Sequence, residues 1–306
     1  MKKDLISIKD LSVKEIQDIF TLTCQLKKNK PKFSKALSGK TLVLLFQKPS
    51  NRTRVSFEVG MYQLGGNAVY LSPGEINLGV RESIHDVAKT LSRYADAIVL
   101  RTFEHQNVLE MAKFAEAAVI NGLSDFSHPC QALADIYTIK EKLKLVEGKT
   151  LAYVGDGNNV CNSLLFACAK TGMNINVASP EGFAPEAAVL SEAKKLSAGG
   201  AVIKLFYDPK EAVKNSDVIY TDVWASMGQE AEAEERKRAF KDFQINPKLV
   251  SLAKKNTLIM HCLPAHRGEE ITADVIDGKN SVVFDQAENR MHVQKAILLK
   301  LLGDRK

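Results

Sequence analysis

Short apolar runs alternating with stretches of helical periodicity constrain the fold of this chain more than any other feature. The first series is TLVLLF (41–46), NAVYLS (67–72), DAIVL (96–100) and AAVI (117–120). Between its members lie RVSFEVGMYQLG, SIHDVAKTLSRY and HQNVLEMAKFAEA, whose apolar residues recur at helical spacing. A second series runs through TLAYVGD (150–156), NINVA (174–178), VIKLF (202–206), DVIYT (217–221), NTLIMH (256–261) and SVVFD (281–285). Strand, helix and strand in repetition, with little hairpin signal, predict an α/β protein of parallel sheets flanked by helices. The two series meet in HPCQALADIYTIKEKLKLVEG (128–148), which reads as one long helix followed by a glycine turn. The expected domains are therefore 1–138 and 139–306. The terminal QAENRMHVQKAILLKLLG reads as an amphipathic helix over 287–303 that packs back on the first domain.

Composition agrees with two globular domains. The 306 residues are 45% apolar and 25% charged, enough for two cores of about 150 residues each. Cys24, Cys130, Cys161, Cys168 and Cys262 form no CxxC pair, so reduced thiols and a cytoplasmic location are expected. MKKDLISIKD is too broken by charge for a signal peptide, and no apolar run is long enough to span a bilayer. The net charge of +6 is concentrated only in LKKNKPKFSK (26–35) and lacks an interleaved aromatic stripe. A nucleic-acid partner is not expected; a small anionic substrate suits this balance.

In open parallel sheets ligands bind beyond the carboxyl ends of the strands. The polar clusters fall there: KPSNRTR after 41–46, RTFEH after 96–100, GDGNN after 150–154, DVWASMG after 217–221, and HCLPAHRG at the end of 256–261. Two such edges suggest a shared cleft between the domains. Ser50 suits a helix N-cap, and with Arg52, Thr53 and Arg54 it offers amides, hydroxyls and guanidinium forks to a phosphate. A capped surface helix with a structural arginine is the plainer alternative. The run is not GxxxxGK, so no triphosphate loop is implied. GDGNN is an incomplete dinucleotide fingerprint, with Val160 breaking it and Ser179 where an acid would hold a ribose. Its asparagines, Asn159 among them, suit a carboxylate or an amino-acid backbone. Asp222, with Ser226 and Met227 in the same loop, suits an ammonium, although a plain turn reads equally well. His261 and Cys262 are consecutive and point to opposite faces of a strand, against a Cys–His nucleophilic pair. His128, His261, His266 and Cys262 lack zinc-ligand spacing, so no metal is expected. Arg101, His128, Gln131 and Arg290 complete the polar inventory near element ends.

Taken in order, SNRTR, HPCQALAD, GDGNN, DVWASMG, HCLPAHRG and AENR make the chain similar to the aspartate/ornithine carbamoyltransferase family over essentially its whole length. The SMG and HCLPxHRG signatures resemble the ornithine-using branch. The resemblance implies transfer of a carbamoyl group from carbamoyl phosphate to the side-chain amine of L-ornithine in an interdomain cleft, without a cofactor. It implies that Ser50, Asn51, Arg52, Thr53, Arg101, His128, Gln131 and Arg290 bind carbamoyl phosphate in the first domain. Asn159, Asp222, Ser226, Met227, Cys262 and Leu263 would hold ornithine in the second. A homotrimer is implied too, with the loop at 75–85 reaching a neighbouring subunit's site. Where family members commonly carry Thr, Leu or Met, this chain has Asn51, whose backbone amide can still serve a phosphate.

Carbamoyl phosphate is already activated, so no metal or protein nucleophile is needed. Arg101, His128 and Thr53 are the expected donors to the carbonyl oxygen. Cys262 is expected beside the reacting nitrogen, and Asp222 away from it at the far, α-ammonium end. Transfer to another amine, such as putrescine or an acylated ornithine, and a binding protein for phosphorylated metabolites are the rival readings. The direction of the reaction in the cell stays open.

Overall fold

A computed structural model describes residues 3–197, 199–225 and 230–303. The chain divides into two compact units, Met1–Tyr137 together with Glu288–Lys306, and Thr138–Ala287. Each is built on a wholly parallel sheet flanked by helices, as the alternating pattern predicts.

The first unit carries β1 (Thr41–Phe46), β2 (Asn67–Leu71), β3 (Ala97–Arg101) and β4 (Ala118–Leu123), in the order β2-β1-β3-β4. Buried on both faces, β1 and β3 are near-continuous apolar runs, whereas edge strand β2 is half exposed. Val43, Leu45, Ile98 and Leu100 pack against Ile84, Val87, Val108 and Met111 of the helices Ile84–Leu91 and His105–Phe114. From β1 the chain goes to one edge and then crosses back to β3, so a topological switch point lies between β1 and β3. Register pairs Phe46 with Arg101 at that point.

The second unit carries β5 (Thr150–Val154), β6 (Asn174–Ala178), β7 (Ile203–Phe206), β8 (Val218–Thr221) and β9 (Leu258–His261), in the order β7-β6-β5-β8-β9. Its switch point lies between β5 and β8. There the buried rings of Tyr153 and Tyr220 stack with centroids 5.9 Å apart. The Tyr153 hydroxyl donates to the Asp156 carbonyl (2.8 Å), which ties the GDGNN turn to the strand below it.

One expected strand is absent. In SVVFD only Ser281 makes an isolated bridge, to Ile259, and the final helix begins at once, running Val283–Leu302. An apolar run of this length cannot be assigned from periodicity alone, because a buried strand and the first turn of a buried helix look the same. Val282 and Val283 are buried while Phe284 is largely exposed, a pattern that belongs to the helix. No helix among the described residues is long and apolar enough to cross a membrane.

Gly157 shows why the turn after β5 needs a residue without a side chain. Its N–H donates to Phe183 O (2.8 Å), and an added Cβ would lie 2.2 Å from Pro185 N and 2.5 Å from Ala184 C. Both are backbone atoms and cannot step aside. Gly157→Ala is expected to lower stability by about 2 kcal/mol, read as a lower urea midpoint. Gly74→Ala, where a Cβ meets nothing within 4 Å, is the control and should change it by less than about 0.5 kcal/mol.

Candidate active site: polar clusters at the strand ends

The first cluster grows from the turn after β1. Ser50 is extended (φ −163°, ψ 110°) and caps the helix Asn51–Gln63, its Oγ accepting from Thr53 N at 3.2 Å. Capping turns the Thr53 hydroxyl inward, where it is fully buried. The two arginines of SNRTR then part company. Arg54 pairs with Glu58 (2.9 Å) and stacks on Tyr70 (3.9 Å), as a surface arginine does. Arg52 is half buried and acts electrostatically on His128. Asn51 Oδ1 accepts from the Arg52 amide (2.7 Å), so an anion at this helix N-terminus competes with that side chain for the donor.

Arg290 organises the cluster. Reaching from the final helix, its Nη2 donates to Thr53 Oγ1 at 2.6 Å and to His128 Nε2 at 3.3 Å, while Nη1 donates to Gln131 Oε1 at 3.1 Å. Gln131 is oriented in turn by donating to Asp135 Oδ1 (2.8 Å). Arg101, the last residue of β3, is also buried. Burial first, and then the charges of Arg290, Arg101 and Arg52, hold His128 well below the usual histidine range. The imidazole is therefore neutral at pH 7. Because a guanidinium only donates, His128 Nε2 accepts from Arg290, and Nδ1 carries the proton. The result is a buried group of hydroxyl, amide, imidazole and guanidinium facing one another with no acid inside it except Asp135.

The second cluster lies beyond β5, β8 and β9. Thr221 and His261 are paired in register, so the residues that follow them, Asp222 and Cys262, emerge side by side. Cys262 Sγ donates to Asp222 Oδ1 at 2.9 Å. The structure thus sets the two side chains in direct contact. Strand register puts neighbouring strand ends about 5 Å apart, a distance no reading of single loops can supply. Asp222 Oδ2 accepts from Asn158 Nδ2 (2.9 Å), and Asn158 Oδ1 caps the helix Asn159–Thr171 by accepting from Val160 and Cys161. Asn159 is the first residue of that helix and is half buried. Leu263 follows Cys262 in a left-handed conformation, φ 58°. Ser226 and Met227 lie outside the described residues.

Several residues that sequence reasoning passed over also stand here. Asn158 was visible in GDGNN, but which of two adjacent asparagines meets the aspartate depends on the cap. Arg236 has no motif to announce it, yet its Nη1 binds Asp156 Oδ2 (3.1 Å) and Trp224 O (3.0 Å), while Nε binds Glu232 (2.9 Å).

Burial raises Asp156 to about 6 despite Arg236 beside it. The folded protein then keeps a proton that the unfolded chain, with an Asp pKa of about 3.9, has lost. Stability contributed by this group is present below about pH 4 and is lost as pH rises through about 6, on the order of 3 kcal/mol in all. Urea midpoints of wild type and Asp156→Asn between pH 4 and 7 should differ by a gap that changes in that window and is flat above it.

Residues 3–141 match the sequence profile of the aspartate/ornithine carbamoyltransferase carbamoyl-P binding domain, and residues 147–301 that of the Asp/Orn binding domain. The chain is 53% identical over 305 residues to the ornithine carbamoyltransferase of Thermococcus kodakarensis, covering 98% of this chain and 96% of that protein. It is 53% identical over 302 residues to that of Bacillus subtilis, covering 98% and 94%. Among solved structures, the ornithine carbamoyltransferase of Pyrococcus furiosus superposes with a TM-score of 0.96 at 53% identity, covering 99% of this chain and 98% of that one. Matched by both profiles and by relatives along nearly its full length, the chain belongs to the aspartate/ornithine carbamoyltransferase family.

Proposed function

We propose that this protein transfers the carbamoyl group of carbamoyl phosphate to the side-chain amine of L-ornithine, giving L-citrulline and phosphate. The observation that carries the reading is the buried cluster in which Arg290 joins Thr53, His128 and Gln131 beside the ends of β1 and β3. Ser50, Asn51, Arg52 and Thr53 offer the phosphate a helix N-terminus and a guanidinium, and Arg101, His128, Gln131 and Arg290 surround the carbamoyl end. Thr53 Oγ1 accepts from Arg290 and from Ser50 Oγ (3.1 Å), so its own proton is left for a third partner such as a ligand oxygen. In the second unit Asp222 takes the α-ammonium of ornithine. Asn159, Ser226 and Met227 take its backbone, and Cys262 and Leu263 flank the side-chain nitrogen.

The neutral amine attacks the carbonyl carbon directly. A C–N bond forms and the carbonyl oxygen gathers charge, met by Arg101, neutral His128 and Thr53. The C–O bond to phosphate then breaks, phosphate leaves with the bonding pair, and it accepts the proton released from nitrogen. No covalent enzyme intermediate enters, and the groups present require neither metal nor cofactor. Within the family's pattern the chain works as a homotrimer in the cytoplasm, with the loop at 75–85 offered to a neighbouring copy.

Purified protein given carbamoyl phosphate should release citrulline and phosphate in equal amounts with L-ornithine, and not turn over putrescine, N-acetylornithine or L-aspartate. Turnover of another amine would move the specificity; no turnover at all would overturn the reading. Arg101→Ala should lower kcat about a hundredfold, and Asp222→Ala should raise KM for ornithine while leaving carbamoyl phosphate binding unchanged. Because a free side-chain ammonium has a pKa near 10, as for lysine, activity should climb from pH 6 to pH 9. A flat profile would contradict attack by the neutral amine.

A further inference from the structure

Glu270 is a carboxyl group with no solvent exposure, paired with an equally buried imidazole. Its Oε1 accepts from His266 N (2.6 Å) and lies 3.0 Å from His261 Nε2. Oε2 is buried as well and makes no hydrogen bond among the described residues. His266 Nδ1 lies 4.0 Å from it; a buried acceptor without a hydrogen bond is costly, so packing alone gives no reason for an acid here. The other side of the imidazole supplies one. His261 Nδ1 accepts from Leu263 N at 2.9 Å. A backbone N–H can only donate, so Nδ1 bears no proton, and the ring hydrogen sits on Nε2, directed at Glu270. The N–H so held belongs to a leucine at φ 58°. A left-handed residue with a side chain is strained and persists only where its surroundings hold it. An unbroken hydrogen-bonded line thus runs from Glu270 through His261 to the turn that follows Cys262. It starts on the face of β9 opposite the thiol.

We propose that Glu270 is a positioning residue for the amine transfer: by fixing the tautomer of His261 it holds the left-handed turn at Leu263, and so orients Cys262 and Leu263 toward the side-chain nitrogen of ornithine. The proposal rests on the reading that Cys262 and Leu263 flank that nitrogen. Glu270 and His261 themselves touch no substrate. Their effect is on turnover with ornithine, while carbamoyl phosphate, bound by the other unit, is indifferent to them.

Four substitutions test this. Glu270→Met keeps the volume and removes the acceptor; Glu270→Gln keeps an acceptor oxygen for both His266 N and His261 Nε2. His261→Asn places its amide oxygen where Nδ1 stood and keeps the acceptor for Leu263, but no longer reaches Glu270. His261→Gln reaches Glu270 and loses the acceptor. Each is assayed for kcat with ornithine, and for carbamoyl phosphate affinity by calorimetry. Glu270→Met should lose roughly tenfold to a hundredfold in kcat, as small misplacements near a reacting centre do. Glu270→Gln should recover to within about threefold, and His261→Asn should outperform His261→Gln by about tenfold. Carbamoyl phosphate affinity should stay within about twofold throughout, since its cluster is untouched. A merely space-filling imidazole predicts the reverse ranking, because glutamine preserves more volume and the Glu270 contact. That ranking, or unchanged kcat in Glu270→Met, overturns the proposal while wild-type citrulline formation leaves the parent reading standing. Absence of citrulline from the wild type overturns both. Should Glu270→Met fail to fold, the His261 pair decides alone.

Discussion

Every pairing between named strands in this protein is parallel, and most of the chemistry depends on that constraint. A parallel sheet sends all its carboxyl ends to one edge, and its crossovers must return to the other edge through helices. Loops after the strands therefore share one side of the sheet, and where the strand order reverses they splay apart and leave room for a ligand. Both units reverse once, between β1 and β3 and between β5 and β8. The SNRTR and RTFEH loops flank the first reversal; GDGNN and the loop of Asp222 flank the second.

Buried charge then has to be made tolerable. In the first unit three arginines act on one small volume, and a histidine among them stays neutral because burial, and then those positive charges, disfavour its protonated form. Hydrogen bonds from Arg290 to Thr53, Gln131 and His128 engage both of its terminal nitrogens and hold these side chains in one geometry. In the second unit Asp222 accepts from two neutral donors, the Asn158 amide and the Cys262 thiol.

Motif-bearing residues were legible because their spacing encodes local geometry. Ser50 three residues before Thr53 is a cap whatever surrounds it, and the structure has that bond. Parallel-strand runs were legible because burial on both faces leaves a nearly continuous apolar stretch, as β1 shows over the whole of its expected range. The SVVFD run was misread for the same reason: burial without periodicity carries no label. Arg236 and Glu270 were not legible, nor was which asparagine of GDGNN would meet Asp222, since these places depend on partners far along the chain and on a cap that selects one of two neighbours.

By itself the sequence determined the α/β class, the division into two sheets, the loops that carry the polar residues and the chemical kinds of those residues. These follow from hydrophobic period and local capping, interactions that reach only a few positions along the chain. Only the tertiary structure decided that Arg290 joins Thr53 across 237 residues. It alone set Cys262 against Asp222, and hung the turn at Leu263 on a buried acid. Strand register and helix docking made those choices, because they bring distant residues to bonding distance, and the cost of an unmet buried polar group leaves few other arrangements.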